Sequence, residues 1–286
     1  MTSATGERPR RKRVPRIAEV VRTSYVTPHM IRVVLGGEGL AGFPAGEFTD
    51  HYVKLLFPPA GAPYAVPYDV EQVRAEHGPE HWPVTRTYTV REWDAASGEL
   101  TIDFVYHGDE GLAGPWAAAA RPGDRIQLMG PGGAYAPHPD AEWHLLVGDE
   151  SALPAIAASV TRLPAGVPAL VVVEVAGPDE EQGDLALPET AELVWVHRGP
   201  QAPGEALVAA VTAATLPGGR GHLFVHGEAV FVRELRRWVR ATHGLDPEFT
   251  SISGYWRRGD TEDGWQAGKR DWNAQIEAED AAAPVG

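Results

Sequence analysis

The sequence predicts a two-part chain, an N-terminal antiparallel six-stranded β-barrel followed by a doubly wound parallel α/β domain. Up to Pro137 the hydrophobic pattern runs in short β-type stretches punctuated by Gly and Pro. Beyond Pro137, continuous apolar runs alternate with amphipathic helical ones, as in a parallel sheet covered on both faces. The 286 residues suffice for two cores of ordinary size. These observations divide the chain into a leader over 1–13, a barrel over 14–137 and an α/β domain over 138–286 that ends in a helical tail.

The leader reads as disordered, because residues 1–16 hold the basic Arg8, Arg10, Arg11, Lys12, Arg13 and Arg16 against the single acid Glu7. Strand-like runs follow at 18–23, 30–35, 51–57, 86–92, 99–106 and 125–129. Six such runs at this spacing suit an antiparallel barrel, whose closure removes the exposed edges of an open sheet. Residues 58–83 are too polar and too Pro-rich for strands, and read as a long loop over one barrel end. In the second half, strands are expected at 144–147, 169–175, 193–197, 222–226 and 250–255. Helices are expected at 153–163, 205–214, 229–242 and 261–279.

Composition narrows the classes of function. The formal net charge is -14, and the chain beyond residue 16 carries 19 basic against 38 acidic side chains, which argues against nucleic acid as a partner. No window approaches the ~18 uninterrupted apolar residues of a membrane span, and the polar N-terminus lacks the apolar core of a signal peptide, so a cytoplasmic protein is expected. Without cysteine, the chain holds neither a Cys-ligated iron–sulfur cluster nor a thiol nucleophile. The eleven His show no ligand-spaced cluster, so no metal site is expected.

The most chemically suggestive stretch is Arg86-Thr87-Tyr88-Thr89-Val90-Arg91. Residues i and i+2 of a strand share a face, so the Arg86 guanidinium could hold a pyrophosphate oxygen while the Tyr88 ring packs on an isoalloxazine. Thr89 faces the other side and could bond a flavin edge where the strand ends. Strand parity gives Asp103 and His107 one face, from which both could reach the same ligand. Gly111 to Gly114 exposes backbone N–H groups ahead of a short helical run at 116–120, which suits a phosphate. No G-x-G-x-x-G follows the first strand of the second half; Gly148-Asp149-Glu150-Ser151 stands there, and its acids would repel a pyrophosphate. Nicotinamide binding would then lean on other positions, with Glu174 accepting a ribose hydroxyl and Arg198 meeting a 2′-phosphate.

Several segments in order carry a family resemblance. Val105-Tyr106-His107-Gly108-Asp109-Glu110-Gly111, Trp116-Ala117, Pro122-Gly123-Asp124 and Gly130-Pro131-Gly132-Gly133 come first. Gly148 to Ile156, Gly227-Glu228 and Gly254-Tyr255-Trp256-Arg257-Arg258-Gly259 follow, and together they resemble the siderophore-interacting protein family over essentially residues 14–272. The resemblance implies an FAD-dependent ferric-siderophore reductase driven by NADPH or NADH. It places the flavin among Arg86, Tyr88, Thr89, Asp103, Val105, His107, Gly111, Ala113, Gly114 and Trp116 on the barrel side. Ser151, Tyr255 and Trp256 would flank it from the second half, while Asp149, Glu150, Glu174, Arg198 and Glu228 would serve the nicotinamide. Lys54, Arg257 and Arg258 would attract an anionic ferric chelate. One segment departs from the family's usual Gly-Pro-Ala-Ser, since Gly111-Leu112-Ala113-Gly114 lacks the proline and the hydroxyl and leaves backbone donors alone.

Other readings stay open at this level. A general flavin reductase taking electrons from an external ferredoxin would carry the same cradle, and a non-catalytic siderophore-binding or flavin-sensing module would share its binding residues. Nothing in the sequence demands an oligomer, so a monomer is expected.

Overall fold

β1 (Arg16–Thr27) folds back at Pro28 and His29 onto β2 (Met30–Gly36), and this hairpin seeds the first of two sheets in the computed structural model, which describes residues 15–282. The basic leader predicted over 1–13 lies outside the described residues. β3 (Tyr52–Phe57), β4 (Val84–Thr89), β5 (Glu92–Asp94), β6 (Glu99–Val105) and β7 (Arg125–Gly132) complete an antiparallel sheet of order β4-β3-β7-β1-β2-β6-β5. Period-two burial builds its core: Ile31, Val33 and Leu35 of β2, Val53 and Leu55 of β3, Leu100, Ile102 and Phe104 of β6, and Ile126 and Leu128 of β7. Each such side chain contributes about 1.5–3 kcal/mol on burial.

The sheet has seven strands rather than six because the run predicted over 86–92 changes partners midway. β4 pairs with β3, then Val90 donates to His51 O at 2.7 Å and Arg91 to Thr101 O at 2.9 Å before β5 joins β6. That crossing links the two edges of the sheet, while β4 keeps one edge free of strand pairing. The segment predicted as a long loop over 58–83 contains a helix, α1 (Val70–Glu76), whose N-cap Asp69 accepts from Glu71 N and Gln72 N at 2.7 and 3.1 Å.

The second sheet is parallel throughout, of order β10-β9-β8-β11-β12, with β8 (Trp143–Gly148), β9 (Ala169–Val175), β10 (Ala191–His197), β11 (Gly221–Glu228) and β12 (Thr250–Trp256). α3 (Leu153–Val160) packs on one face with Leu146, Val171, Val173 and Phe224. α4 (Glu205–Ala213) and α5 (Ala229–Thr242) cover the other over Leu145, Val147, Leu223 and Val225. α6 (Glu262–Ala282) closes the described chain. In this doubly wound order the crevice for a ligand lies beyond the C-terminal ends of the central strands.

Several contacts tie the two halves among the described residues, two of them far from the C-terminal helix. Thr49 Oγ1 meets Ser159 Oγ at 2.8 Å. The β9–β10 crossover, residues 176–190, reaches over to β1 and β2, where Glu180 accepts from Thr27 Oγ1 at 2.6 Å and pairs with His29 at 2.5 Å.

Candidate functional site

Arg86 and Tyr88 stand on one face of β4, opposite Leu55 and Val53 of β3. The Tyr88 ring rests on Phe104 with centroids 4.3 Å apart, and burial pushes its phenol up from the ordinary value. Arg86 is held at its own strand by Nη1 to Thr85 O at 2.8 Å, and from α6 by Asp263 at 3.1 Å and Glu262 at 3.5 Å from Nε. Glu262 also accepts the Thr87 N–H at 2.8 Å, capping the free edge of β4. Among the described residues no hydrogen bond uses Arg86 Nη2. The sequence reading assigned Arg86 no protein partner, and the two α6 acids are the groups it missed; an acid pair opening a helix is a weak signal until the fold brings it to β4.

Beyond β6 the expectations need correction. Asp103 lies on the face opposite to Phe104, and hence away from Tyr88. It is buried and bonded to Arg32 Nε at 2.7 Å and Nη2 at 2.8 Å, with Arg91 at 3.5 Å, so both its oxygens are occupied by ion pairs within the protein. His107 shares no face with it, because β6 ends at Val105 and His107 is exposed in the turn that follows. Val105 pairs with Met30. Gly111 has φ 79°, which favours glycine, and leads into α2 (Ala113–Ala119), which no side chain caps. Ala113 and Gly114 are buried under the sheet, and a Cβ on Gly114 would stand 3.2 Å from Val105 O. Trp116 packs into the core of the first sheet against Phe57 and Phe104 at 5.6 and 5.7 Å.

At the strand C-termini of the second sheet a single carboxylate gathers three elements. Asp149 accepts from Ser151 N at 2.9 Å and Ser151 Oγ at 2.5 Å through Oδ1, and from Glu228 N at 2.9 Å and Trp256 Nε1 at 2.8 Å through Oδ2. Burial pushes its carboxyl up to about 6, against the pull of these donors. Glycines make the room: a Cβ on Gly148 would stand 2.5 Å from Ala152 Cβ, and one on Gly227 would stand 2.7 Å from Asp149 Cγ. Glu228 caps α5 by accepting Val230 N at 2.6 Å. Tyr255 faces Thr89 across the gap between the sheets and meets the His226 ring edge-on at 4.9 Å. Asp149 and Glu228 are thus fastened into the scaffold, while Ser151, Tyr255 and Trp256 stay half-buried at the mouth.

Glu174 is a second correction. It is fully buried, accepts from Gly204 N at 2.9 Å and Leu207 N at 3.3 Å, and pairs with Arg198 at 3.2 Å, so it holds the start of α4 rather than offering oxygens to a ribose. Arg198 divides its guanidinium between Glu174 and Glu150, the latter at 2.6 Å. Lys54 is exposed on β3, opposite Thr87 and near Glu262. Arg257 and Arg258 are exposed after β12, and Arg257 borders a cavity of about 350 Å³ with Arg233, Arg237 and Trp272.

These residues fit a flavin nucleotide. The Arg86 guanidinium, the half-buried ring of Tyr88 and the uncapped turn before α2 offer a cation, an aromatic surface and backbone donors. Among the described residues no group of His, Asp and Glu is arranged to hold a metal ion, and no helix is long and apolar enough to cross a membrane.

Comparison with known proteins supports the same assignment. Residues 19–135 match the siderophore-interacting FAD-binding domain, and residues 141–259 match the siderophore-interacting protein domain. A Mycobacterium tuberculosis protein is 46% identical over 275 residues, covering 88% of this chain and 94% of its own. The ferric vibriobactin reductase ViuB of Vibrio cholerae is 35% identical over 258 residues, covering 88% of this chain and 92% of its own. The solved structure of the siderophore-interacting protein SipS from Aeromonas hydrophila superposes with a TM-score of 0.78 at 31% identity, covering 92% of this chain and 99% of that one. With both halves matched in order and these relatives aligned along nearly their whole length, the chain belongs to the siderophore-interacting protein family.

Proposed function

We propose that this protein is a cytoplasmic, monomeric FAD-dependent ferric-siderophore reductase that takes electrons from NADPH or NADH. The observation that carries the reading is the β4 edge, where the Arg86 guanidinium makes no hydrogen bond through Nη2 and stands beside the half-buried Tyr88 ring in a chain 35% identical to a ferric vibriobactin reductase. Residues 14–137 would bind the flavin and residues 138–286 the nicotinamide.

Bound FAD would supply the redox chemistry, accepting hydride from the nicotinamide and passing electrons singly to the iron of the substrate. The chain's own work is placement and electrostatics. Arg86 would hold a phosphate oxygen through Nη2, and Tyr88 would support the ring. Tyr255 and Trp256 would keep water from the opposite side, with Trp256 fixed by its bond to Asp149. Asp149 holds the Ser151 hydroxyl at the mouth of β8. Lys54 and Arg258 would draw an anionic chelate into an otherwise acidic molecule. Ferrous iron binds hard-oxygen chelators less tightly than ferric iron, so reduction would release it. An external ferredoxin would serve as an alternative donor to the same flavin.

The test is spectroscopic. The purified protein, reconstituted with FAD, should show flavin absorption that bleaches with anaerobic NADPH or NADH and returns when a ferric chelate is added. A protein that binds no FAD, or whose reduced flavin ignores the chelate, would refute the reading.

A further inference from the structure

The first turn of α6 sits on the β4 edge, and its two acids are not equivalent. Asp263 is exposed and reaches Arg86 only at Nη1, a contact of the kind that solvent screening leaves nearly neutral. Glu262 is half-buried, and its carboxylate spans a backbone donor and a side chain, the Thr87 N–H at 2.8 Å and the Arg86 Nε at 3.5 Å. Burial pushes the Glu262 carboxyl up, while the Thr87 N–H, Arg86 and Lys54 hold it down. It lies on the Nε edge of the guanidinium, and no hydrogen bond from Glu262 or Asp263 uses Nη2. Of the two acids, it is Asp263 that meets a terminal nitrogen of the guanidinium fork, where a phosphate would compete with it. An unheld Arg carries rotamer freedom that a ligand would have to remove.

α6 does not depend on this contact for its seat. Trp265 and Ile276 are buried beneath it, Arg236 pairs with Asp280 at 2.7 Å, and Arg237 pairs with Glu279 at 2.9 Å. A change at Glu262 therefore reaches the β4 edge without freeing the helix.

We propose that Glu262 is a positioning residue for Arg86: by bridging the Thr87 N–H and the Arg86 Nε, it fixes the guanidinium on the β4 edge where it would meet the phosphate of a bound flavin nucleotide. The inference rests on the flavin reading of Arg86. It gives the C-terminal helix a part in cofactor affinity, although the helix begins some 170 residues after β4 ends.

The experiment measures FAD dissociation constants on apoprotein by flavin fluorescence for wild type, Glu262→Ala, Glu262→Gln, Asp263→Ala, Arg86→Ala and the double variant Arg86→Ala/Glu262→Ala. Glu262→Ala should weaken FAD about tenfold. Glu262→Gln keeps an acceptor for Thr87 and should fall between, while Asp263→Ala should stay within about twofold. Because Glu262 acts through Arg86, the double variant should bind no more weakly than Arg86→Ala alone. A merely structural role for Glu262 would make the two losses multiply, and that result overturns the proposal. So does a Glu262→Ala or Glu262→Gln protein that binds FAD as tightly as wild type, or more tightly, while Arg86→Ala weakens it. If Arg86→Ala itself leaves affinity unchanged, the flavin reading of Arg86 falls, and the role of Glu262 falls with it.

Discussion

Asp149 is the side chain on which the mouth of the second sheet depends. Its oxygens accept from Ser151, Glu228 and Trp256, and no proton donor of its own is needed in that shell. Replacing it with Asn keeps the shape but turns an NH₂ toward groups that are themselves donors. Two buried donors then lose their acceptor, at a cost of about 1–3 kcal/mol. Asp149→Asn should lower the unfolding free energy by that amount, seen as a lower urea midpoint at unchanged slope, and redden Trp256 emission, since the indole N–H loses its anchor. An unchanged midpoint would mean that the carboxylate is not what ties β8, β11 and β12 together. The sequence marked Asp149 as an obstacle to a pyrophosphate; the structure explains its presence as an acceptor for three strand ends.

At the scale of elements, alternation of apolar residues made the strands and their core faces legible, and it correctly put Arg86 and Tyr88 on one face. What it left out were changes of partner. The split between β4 and β5 leaves no mark in the hydrophobic pattern, because Val90 and Arg91 remain extended while their hydrogen bonds pass from β3 to β6. α1 was hidden between prolines, although Asp69 ahead of a polar helical stretch is a capping signal. Asp103 was misread because strand parity says which face a residue takes but not what covers that face. Here the cover is Arg32, its cross-strand neighbour, and Asp184 from the β9–β10 crossover, which binds Arg32 at 2.6 Å and Arg91 at 3.1 Å. Asp103→Ala would leave two guanidinium groups facing one partly exposed acid, so unfolding free energy should fall by about 3–5 kcal/mol. FAD affinity, measured where the variant is still folded, should match wild type. Lost FAD at full stability would return Asp103 to the cofactor.

Across the whole molecule the acid-sensitive groups are buried histidines of the parallel sheet: His226 lies near the edge that carries the site, and two lie at the opposite, N-terminal ends of the strands. His144 of β8 and His222 of β11 are buried there with ring centroids 5.7 Å apart, and His222 Nδ1 accepts the His138 N–H at 2.9 Å. Neither ring nitrogen of His144 has a partner. Burial and the neighbouring imidazoles push His144 and His222 down to about 4, and burial pushes His226, stacked on Phe224 at 3.8 Å, down to about 3. In the unfolded chain these rings titrate near 6.5. The unfolded state therefore binds protons first, and the stability that neutral rings contribute is intact above pH 6.5 and lost as the pH falls toward 4. By pH 5 the loss is roughly 2 kcal/mol per ring, against a total stability of about 5–15 kcal/mol. The raised carboxyls of Asp149, Glu174 and Glu262 act in the opposite sense, and the depressed ones of Glu180 and Asp184 add to the loss at lower pH. Of the opposing group Asp149 is the largest resolved, at about 1 kcal/mol at pH 5, so the histidines win. Tm should fall steeply between pH 6.5 and 5. In His144→Leu, which gives up no hydrogen bond, the slope should flatten by about a third while Tm at pH 7.5 holds or rises. A wild-type Tm that stays level down to pH 5, or a His144→Leu profile parallel to wild type, would show that this cluster does not govern the acid response.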